Sequence, residues 1–471
     1  MNNEGWNFDN TYIQLPKIFY KNQLPTAAPT PQMVIFNQNL AESLGLNADT
    51  LKKEPAIFAG CKLPMGANPI AQAYAGYQFG HFTMLGDGRA VLLGEQITPA
   101  GQKFDIQLKG SGITPFSRGG DGYAALKPML REYIISEAMF HLGLPTTRSL
   151  AVALTGKTVM REKALQGAVL TRTASSHIRV GTFNFISAFG TQENTRTLAD
   201  YCINRHFSEL KNHENKYILF MRKAAEKQAA LIASWQLIGF VHGVMNTDNM
   251  AISGETIDYG PCAFMDSYNP NTVFSSIDTH GRYAYKNQPT IGAWNLSRFA
   301  EELLFLFHED KEKAAELARQ EINYYWECYN EHWLNGMRAK LGITHPTPED
   351  TELIAELLGL MAAHKLDYTN TFHSLSSPVE PGSPLLNIAG FIPWQHKWHK
   401  KMDNRQQMKK HNPAVIPRNY KVEEALEAAD NGDFSVMHNL LDALSKPYEY
   451  SSEYSLPPKA ANCDYKTFCG T

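Results

Sequence analysis

The sequence predicts an α+β chain of two lobes, and three observations predict it. Short apolar segments bounded by glycine or polar residues recur between residues 86 and 173, the pattern of strands. A single helical stretch interrupts them at 127–142, and beyond about residue 185 the apolar spacing turns helical. At 471 residues the chain exceeds a typical single domain and has ample length for a large core. The expected division is 1–175 as an N-terminal extension plus a strand-rich lobe, 176–450 as a helical lobe, and 451–471 as a tail.

In chain order, the first 70 residues carry prolines at 16, 25, 29, 31, 55, 64 and 69, which predicts an irregular wrap around the neighbouring lobe. Strands are expected at 90–93, 105–108, 150–154, 158–161 and 168–171. The helix at 127–142 spaces Met129, Leu130, Tyr133, Ile134 and Met139 at roughly helical intervals and is stopped by Gly143 and Pro145. Further helices are expected at 215–240, 293–307, 311–340, 351–364 and 423–444. In the first of these Ile218, Met221, Ala225, Ile232 and Trp235 form a candidate inward face, which delivers the chain to residues 242–260.

Composition excludes several classes. The 44 basic and 47 acidic residues give no overall field for nucleic acid or an anionic membrane, so neither is an expected partner. No apolar run is long enough to span a bilayer, and the first residues lack a basic region followed by an apolar one; the expectation is a cytoplasmic protein. Six cysteines in so long a chain make no disulfide framework, and Cys61, Cys202, Cys262 and Cys328 lack Cys-x-x-Cys spacing. Cys463 and Cys469, within the last nine residues, read equally as exposed redox thiols or as inert ones in a packed tail.

Residues 242–260, His-Gly-Val-Met-Asn-Thr-Asp-Asn-Met-Ala-Ile-Ser-Gly-Glu-Thr-Ile-Asp-Tyr-Gly, carry the most chemistry. Asp248-Asn249 precedes a short apolar run, a Ser253-Gly254-Glu255 turn and a second run ending at Asp258, which predicts a hairpin with acidic and amide oxygens at both ends. Such oxygens suit Mg2+, which takes one or two protein ligands beside nucleotide phosphates. Protein kinases place an Asp base five residues before the metal-binding Asn, and an Asp-Phe-Gly later. Here Asp258-Tyr259-Gly260 stands for the latter, but the base position holds Val244. Either the chain is catalytically dead, or its chemistry differs from ordinary kinase transfer.

A metal half calls for a phosphate half. Gly86-Asp87-Gly88-Arg89 precedes a strand, Lys109 follows the strand expected at 105–108, and Glu132 lies in the single helix. A glycine turn admits phosphate close to the backbone, a strand lysine supplies fixed charge, and a helix carboxylate orients that lysine. Each alone fits a solvated surface position; their joint order with residues 242–260 selects a nucleotide cleft. Other motifs fail. Gly156-Lys157-Thr158 has Ala151 where a P-loop needs its earlier glycine. Gly86-x-Gly88 and Gly110-x-Gly112 carry Val91 and Pro115 at the third position of a dinucleotide fingerprint. No His-Glu-x-x-His or Gly-x-Ser-x-Gly occurs, and His242 reads as a structural histidine.

Longer runs carry a resemblance. They are Leu85-Gly-Asp-Gly-Arg-Ala90, the stretch from Asp105 to Gly122, Leu144-Pro-Thr-Thr-Arg148, His242-Gly-Val-Met-Asn-Thr-Asp-Asn249, Ile257-Asp-Tyr-Gly-Pro261 and Gly281-Arg-Tyr283. On these the chain resembles the selenoprotein O (SelO/YdiU) family of protein-kinase-like enzymes. The resemblance implies a bilobal protein-kinase-like fold and a nucleotidyltransferase that moves AMP, or in some members UMP, to protein Ser, Thr or Tyr hydroxyls. ATP or UTP would be the co-substrate, bound reversed relative to ordinary kinases, with Mg2+ or Mn2+. By the same resemblance Asp248 is the base, Asn249 and Asp258 are metal ligands, and Lys109 is the phosphate lysine supported by Glu132. Gly86, Gly88, Arg89, Asp121, Gly122, Arg172 and Arg179, with Asp258, would complete the nucleotide contacts. Cys469 sits where the family can carry selenocysteine, which makes Cys463, Cys469 and Cys262 candidate redox thiols and a tail-to-Cys262 disulfide a hypothesis. Two departures bear on base preference: Tyr77 replaces the histidine expected within residues 76–80, and Tyr123 stands where arginine is common. A phosphotransferase on the same lobes and a nucleotide-binding pseudokinase scaffold are the alternatives. Val244 argues against the first, and the retained Lys109, Asn249 and Asp258 against the second.

Overall fold

The structure, a computed structural model, describes residues 3–379, 383–458 and 465–467. Strands β1 (Tyr20–Asn22) and β2 (Gln32–Phe36) lead into three short helices, α1 (Gln38–Ser43), α2 (Ala48–Leu51) and α3 (Pro55–Phe58). There follow β3 (Ile70–Gln72), the hairpin of β4 (Ala75–Gln78) and β5 (His81–Met84), β6 (Ala90–Ile97), β7 (Lys103–Lys109) and β8 (Ala124–Ala125). Helix α4 (Leu126–His141) then precedes the long hairpin β9 (Arg148–Met160) and β10 (Ala164–Ala174). The main sheet runs β1-β3-β6-β7-β10-β9-β2, with β8 on β10, and its pairings are antiparallel.

Strands β6 and β9 carry unbroken apolar runs, at residues 90–93 and 150–154, because both faces of the sheet are covered. Leu93, Ile106 and Leu108 pack with Leu40, Leu51 and Phe58 of the short helices. Leu92, Val152 and Leu170 pack on the other side with Met129, Leu130 and Ile134 of α4. This corrects two expectations. The N-terminal stretch is no mere irregular wrap, since β1 and β2 form the two ends of the sheet; nor is α4 the one helix of this part. Helices α1 and α2 start where the side chains of Asn37 and Asn47 accept the amides of Leu40 and Thr50, both at 3.1 Å, and α3 starts on Pro55. Helices this short show no apolar periodicity.

The rest of the chain is helical: α5 (Val180–Phe189), α6 (Gln192–His206), α7 (Lys216–Leu237), α8 (Gln288–Phe307), α9 (Lys311–Leu341), α10 (Asp350–Ala363), α11 (Tyr368–Leu375), α12 (Phe391–His399), α13 (Arg405–His411), α14 (Asn419–Asp430) and α15 (Ser435–Leu444). The helix expected at 423–444 is divided by Gly432, at φ +87°, after which Asp433 accepts the Ser435 amide. The hairpin expected across residues 250–257 does not form. Ala251 bridges to Arg179 and Thr256 to Thr146, and Ile252 N donates to Ile178 O at 2.9 Å. Both runs satisfy their buried backbone groups against neighbouring segments instead of each other. Only the turn at Gly254 remains, Gly254 N donating to Ala251 O.

The largest apolar cluster passes from the sheet (Val152, Leu170) through α4 into α7 and α8 (Ile232, Trp235, Leu296, Phe299). Residues 242–260 lie where these parts meet, between β11 (Phe240–Val241) and β12 (Ala263–Phe264). Among the described residues no helix is long and apolar enough to cross a membrane.

Candidate active site

Three elements deliver charge to one point. Lys109 ends β7, Arg172 faces its register partner Gln107 from β10, and Glu132 lies mid-way along α4. Lys109 Nζ lies 2.6 Å from Glu132 Oε2 and 2.8 Å from Asp258 Oδ1. Arg172 Nη1 lies 2.5 Å from Asp258 Oδ1 and 3.2 Å from Glu132 Oε1, while Arg179 Nη1 reaches Asp258 Oδ2 at 3.0 Å. Three cations thus surround two carboxylates in a nearly dry setting, and the cluster keeps a surplus of positive charge suited to an oxyanion. Burial works against the Asp258 charge, but Arg172, Lys109 and Arg179 outweigh it and hold the carboxyl well below its usual range. The Asp258 backbone is strained, at φ +63° without being glycine.

Asp248 has a different environment. It is buried, and Oδ1 makes no hydrogen bond with any described residue. Burial pushes its carboxyl up to about 7 against the opposing pull of Arg179, which donates from Nη1 to the Asp248 carbonyl at 2.7 Å. A carboxyl so placed can accept a proton near neutral pH. The β4–β5 hairpin lies directly on this loop. Tyr77 N donates to Thr247 Oγ1 at 2.9 Å and Phe79 N to Asn246 Oδ1 at 3.2 Å, and a Cβ on Gly76 would overlap Asp248 Oδ1. The loop is held from below by His242, whose Nε2 pairs with the Ile257 carbonyl at 2.9 Å, the structural part read for it.

Asn249 Nδ2 donates to the Val244 carbonyl at 2.9 Å, so the residue in the kinase base position orients the amide by its backbone. That leaves Asn249 Oδ1 as an acceptor. With the ionised Asp258 and the unbonded Asp248 Oδ1 it supplies hard oxygens that fit Mg2+ or Mn2+. Among the described residues no group of three or more His, Cys, Asp or Glu side chains stands ready for a metal, so a nucleotide would supply the remaining ligands.

The glycine turn owes its residues to packing. Gly86 lies at φ +94°, a Cβ there would overlap the Phe116 ring, and one on Gly88 would come within 2.9 Å of the Phe116 carbonyl. Arg89, Lys109 and Glu132 face Tyr259 and Gly260 across a cavity of about 390 Å³. Asp121 is not drawn into the ion cluster: its carboxylate is exposed and paired with Arg161 at 2.8 Å, and Gly122, at φ +70°, packs on Gly112. Tyr77 stacks edge-on against Trp294 at 5.8 Å, and Tyr123 accepts from Lys157 at 2.6 Å. Cys262 is fully buried and its thiol is pushed up to about 12 by burial, which suppresses thiolate chemistry. Cys463 and Cys469 lie outside the described residues.

Sequence reasoning missed several members. Gln107 donates from Nε2 to Asp87 Oδ2 at 3.1 Å and accepts from Arg172 Nε at 2.7 Å, tying the glycine turn to the ion cluster. Arg118 is near enough to act electrostatically on Asp248. Gly76 was visible only as part of the run at 76–80; its contact depends on a tertiary approach.

A family model described as protein adenylyltransferase SelO matches residues 4–445. A Geobacillus kaustophilus protein named protein nucleotidyltransferase YdiU is 58% identical over 481 aligned residues, covering 99% of both chains. Proteins of the same name from Brevibacillus brevis and Bacillus thuringiensis are 57% and 56% identical, covering 99% and 100% of this chain and 98% and 99% of theirs.

Proposed function

From the premise that the chain belongs to the SelO protein adenylyltransferase family and is a nucleotidyltransferase, we propose that it moves AMP from ATP to Ser, Thr or Tyr hydroxyls of proteins. The observation that carries this reading is the pairing of a cation surplus at Lys109, Arg172 and Arg179 with an Asp248 carboxyl whose Oδ1 makes no hydrogen bond with any described residue, while Val244 occupies the kinase base position. The hydroxyl oxygen attacks the α-phosphorus, a phosphodiester forms, and the bond to the leaving pyrophosphate breaks. Asp248 takes the hydroxyl proton, for which a carboxyl raised to about 7 is suited. Lys109, held by Glu132, and Arg172 and Arg179 bind phosphate oxygens and steady the charge that develops on them. Asn249 and Asp258 would hold Mg2+ or Mn2+, which when bound neutralises phosphate charge and orients the triphosphate. The same reading takes the chain as protein-kinase-like and bilobal, with Lys109 on a strand, Glu132 on α4 and Asp258 after the Asp248 loop, and as acting in the cytoplasm. UTP is the alternative donor.

The test is mass spectrometry of a cell extract incubated with the purified protein, ATP and Mg2+ or Mn2+. The expected result is peptides bearing an adenylyl group on Ser, Thr or Tyr, absent with Asp248→Ala even though that variant still binds ATP. Phosphorylated peptides without adenylylated ones would favour phosphotransfer. Neither modification, with ATP binding intact, would favour a scaffold.

A further inference from the structure

The run Gly281-Arg282-Tyr283 plays no part in the nucleotide cluster, yet it touches the Asp248 loop. Tyr283 is buried, and its hydroxyl donates to Asn246 Oδ1, two residues before Asp248. Phe79 N donates to the same pair of oxygens, and the Phe79 and Tyr283 rings lie 5.1 Å apart. Phe79 occupies the first position of the Phe79-Gly80 turn at φ +51°, a conformation that hairpin turns usually assign to Asn or Gly. The strain places an aromatic ring as the wall of a pocket of about 640 Å³ lined by Phe79, Ile277, His280, Arg282, Thr290 and Ile291.

Arg282 is the notable group of this pocket. Its guanidinium lies 4.8 Å over the Trp294 ring, and its buried Nε makes no hydrogen bond. Arg298 also lies over Trp294, at 5.4 Å, but is paired with Glu301. No carboxylate among the described residues forms an ion pair with Arg282. Asp278 lines the same pocket, but its two oxygens accept the backbone amides of Arg282 and Tyr283 at 2.9 and 2.8 Å, which fixes the loop without an ion pair to the guanidinium. A half-buried cation beside the Tyr283 hydroxyl, resting on an aromatic face, without a carboxylate partner among the described residues and beside an exposed isoleucine, is a preformed receptor for a carboxylate.

We infer that this pocket docks the protein substrate by taking an acidic side chain close in sequence to the acceptor hydroxyl. The inference rests on the proposed protein-directed activity and names the sequence context that activity prefers. Continuity with the site supports it: the pocket wall and the Asp248 loop share the Tyr283–Asn246–Phe79 hydrogen bonds, so a side chain seated in the pocket belongs to a segment that passes beside that loop. Its recognition mode is a guanidinium reading a carboxylate, with apolar surface beside it.

Two measurements test it on the full chain. Fluorescence anisotropy with labelled Ser-centred peptides compares Asp, Ala and Lys at the flanking positions, in the presence of a non-hydrolysable ATP analogue. At one flanking position the Asp peptide is expected to bind about tenfold more tightly than the Ala peptide, the difference vanishing in Arg282→Ala, recovering in Arg282→Lys and inverting toward the Lys peptide in Arg282→Glu. Equal binding of Asp and Ala peptides by the wild-type protein would overturn the inference whether or not transfer occurs. Transfer rates from ATP to the same peptides provide the second arm. A flanking preference lost in Arg282→Ala, with KM for ATP unchanged, supports docking. AMP transfer without that preference, or an Arg282→Ala defect confined to the KM for ATP, overturns it while leaving the adenylyl-transfer reading intact.

Discussion

Gly76 and Asp248 set the finest tolerance in the molecule. The hairpin backbone lies on the Asp248 carboxyl so closely that only hydrogen fits between them. Gly76→Ala is expected to displace the carboxyl or the hairpin and to lower kcat by about a hundredfold, the scale expected for a 1 Å misplacement. Stopped-flow binding of a fluorescent ATP analogue should change little, so an unaltered kcat would show that Asp248 needs no such placement. Arg172 acts on stability as well. Its side chain is 3% exposed and joins Glu132, Asp258 and Gln107; Arg172→Met leaves two carboxylates with Lys109 as their buried cation nearby and Arg179 on one of them. A loss of ~3–5 kcal/mol in urea unfolding is expected. Lys109, Glu132 and Asp258 could be named from their order along the chain, and Arg172 and Arg179 from the family resemblance alone; the structure brings all five together. Gly76 and Gln107 could not, because their roles exist only after distant segments meet. Asp121, named with the others, is engaged by Arg161 instead.

At the scale of elements, the same distinction recurs. Strands β6, β7 and β10 were legible as short segments bounded by glycine or polar residues, and helices α4, α7 and α9 by sustained apolar spacing. The hairpin expected at 250–257 was not there to be found, since apolar alternation does not say which backbone a strand will pair with. Near the end of α9, Lys340 carries a testable burden. It is 2% exposed, its ammonium lies 4.4 Å over Phe372 and 5.6 Å over Tyr368, and no carboxylate among the described residues pairs with it. Burial pushes its pKa down from 10.5 to about 7. Between those values the unfolded chain holds a proton that the folded chain lacks, so stability rises with pH across that window and the penalty is complete at pH 7 and below. Lys340→Met is therefore expected to stabilise the protein by roughly 2–4 kcal/mol at pH 7 and to flatten the rise toward pH 10. Thermal melts at both pH values check it; a destabilised variant with the slope unchanged would contradict it.

For the whole molecule, the sheet and the helical part share one apolar cluster, and the candidate site lies where they meet, with β7, α4 and β10 supplying Lys109, Glu132 and Arg172 and residues 242–260 supplying Asp258. The order strand, helix, helix-rich remainder was readable from the change in apolar period, whereas the packing that unites them was not, because apolar spacing within α4, α7 and α8 does not say which distant elements they bury against. Family membership assigns nucleotidyl transfer; the central claim is that the α-phosphate is the group attacked. The direct measurement pairs ATP labelled at the α-phosphate with ATP labelled at the γ-phosphate, using the purified full chain, a divalent metal and a cell extract. Label reaching protein from α-labelled ATP alone, and lost in Asp248→Ala, is the predicted result. Label reaching protein from γ-labelled ATP alone would contradict the account.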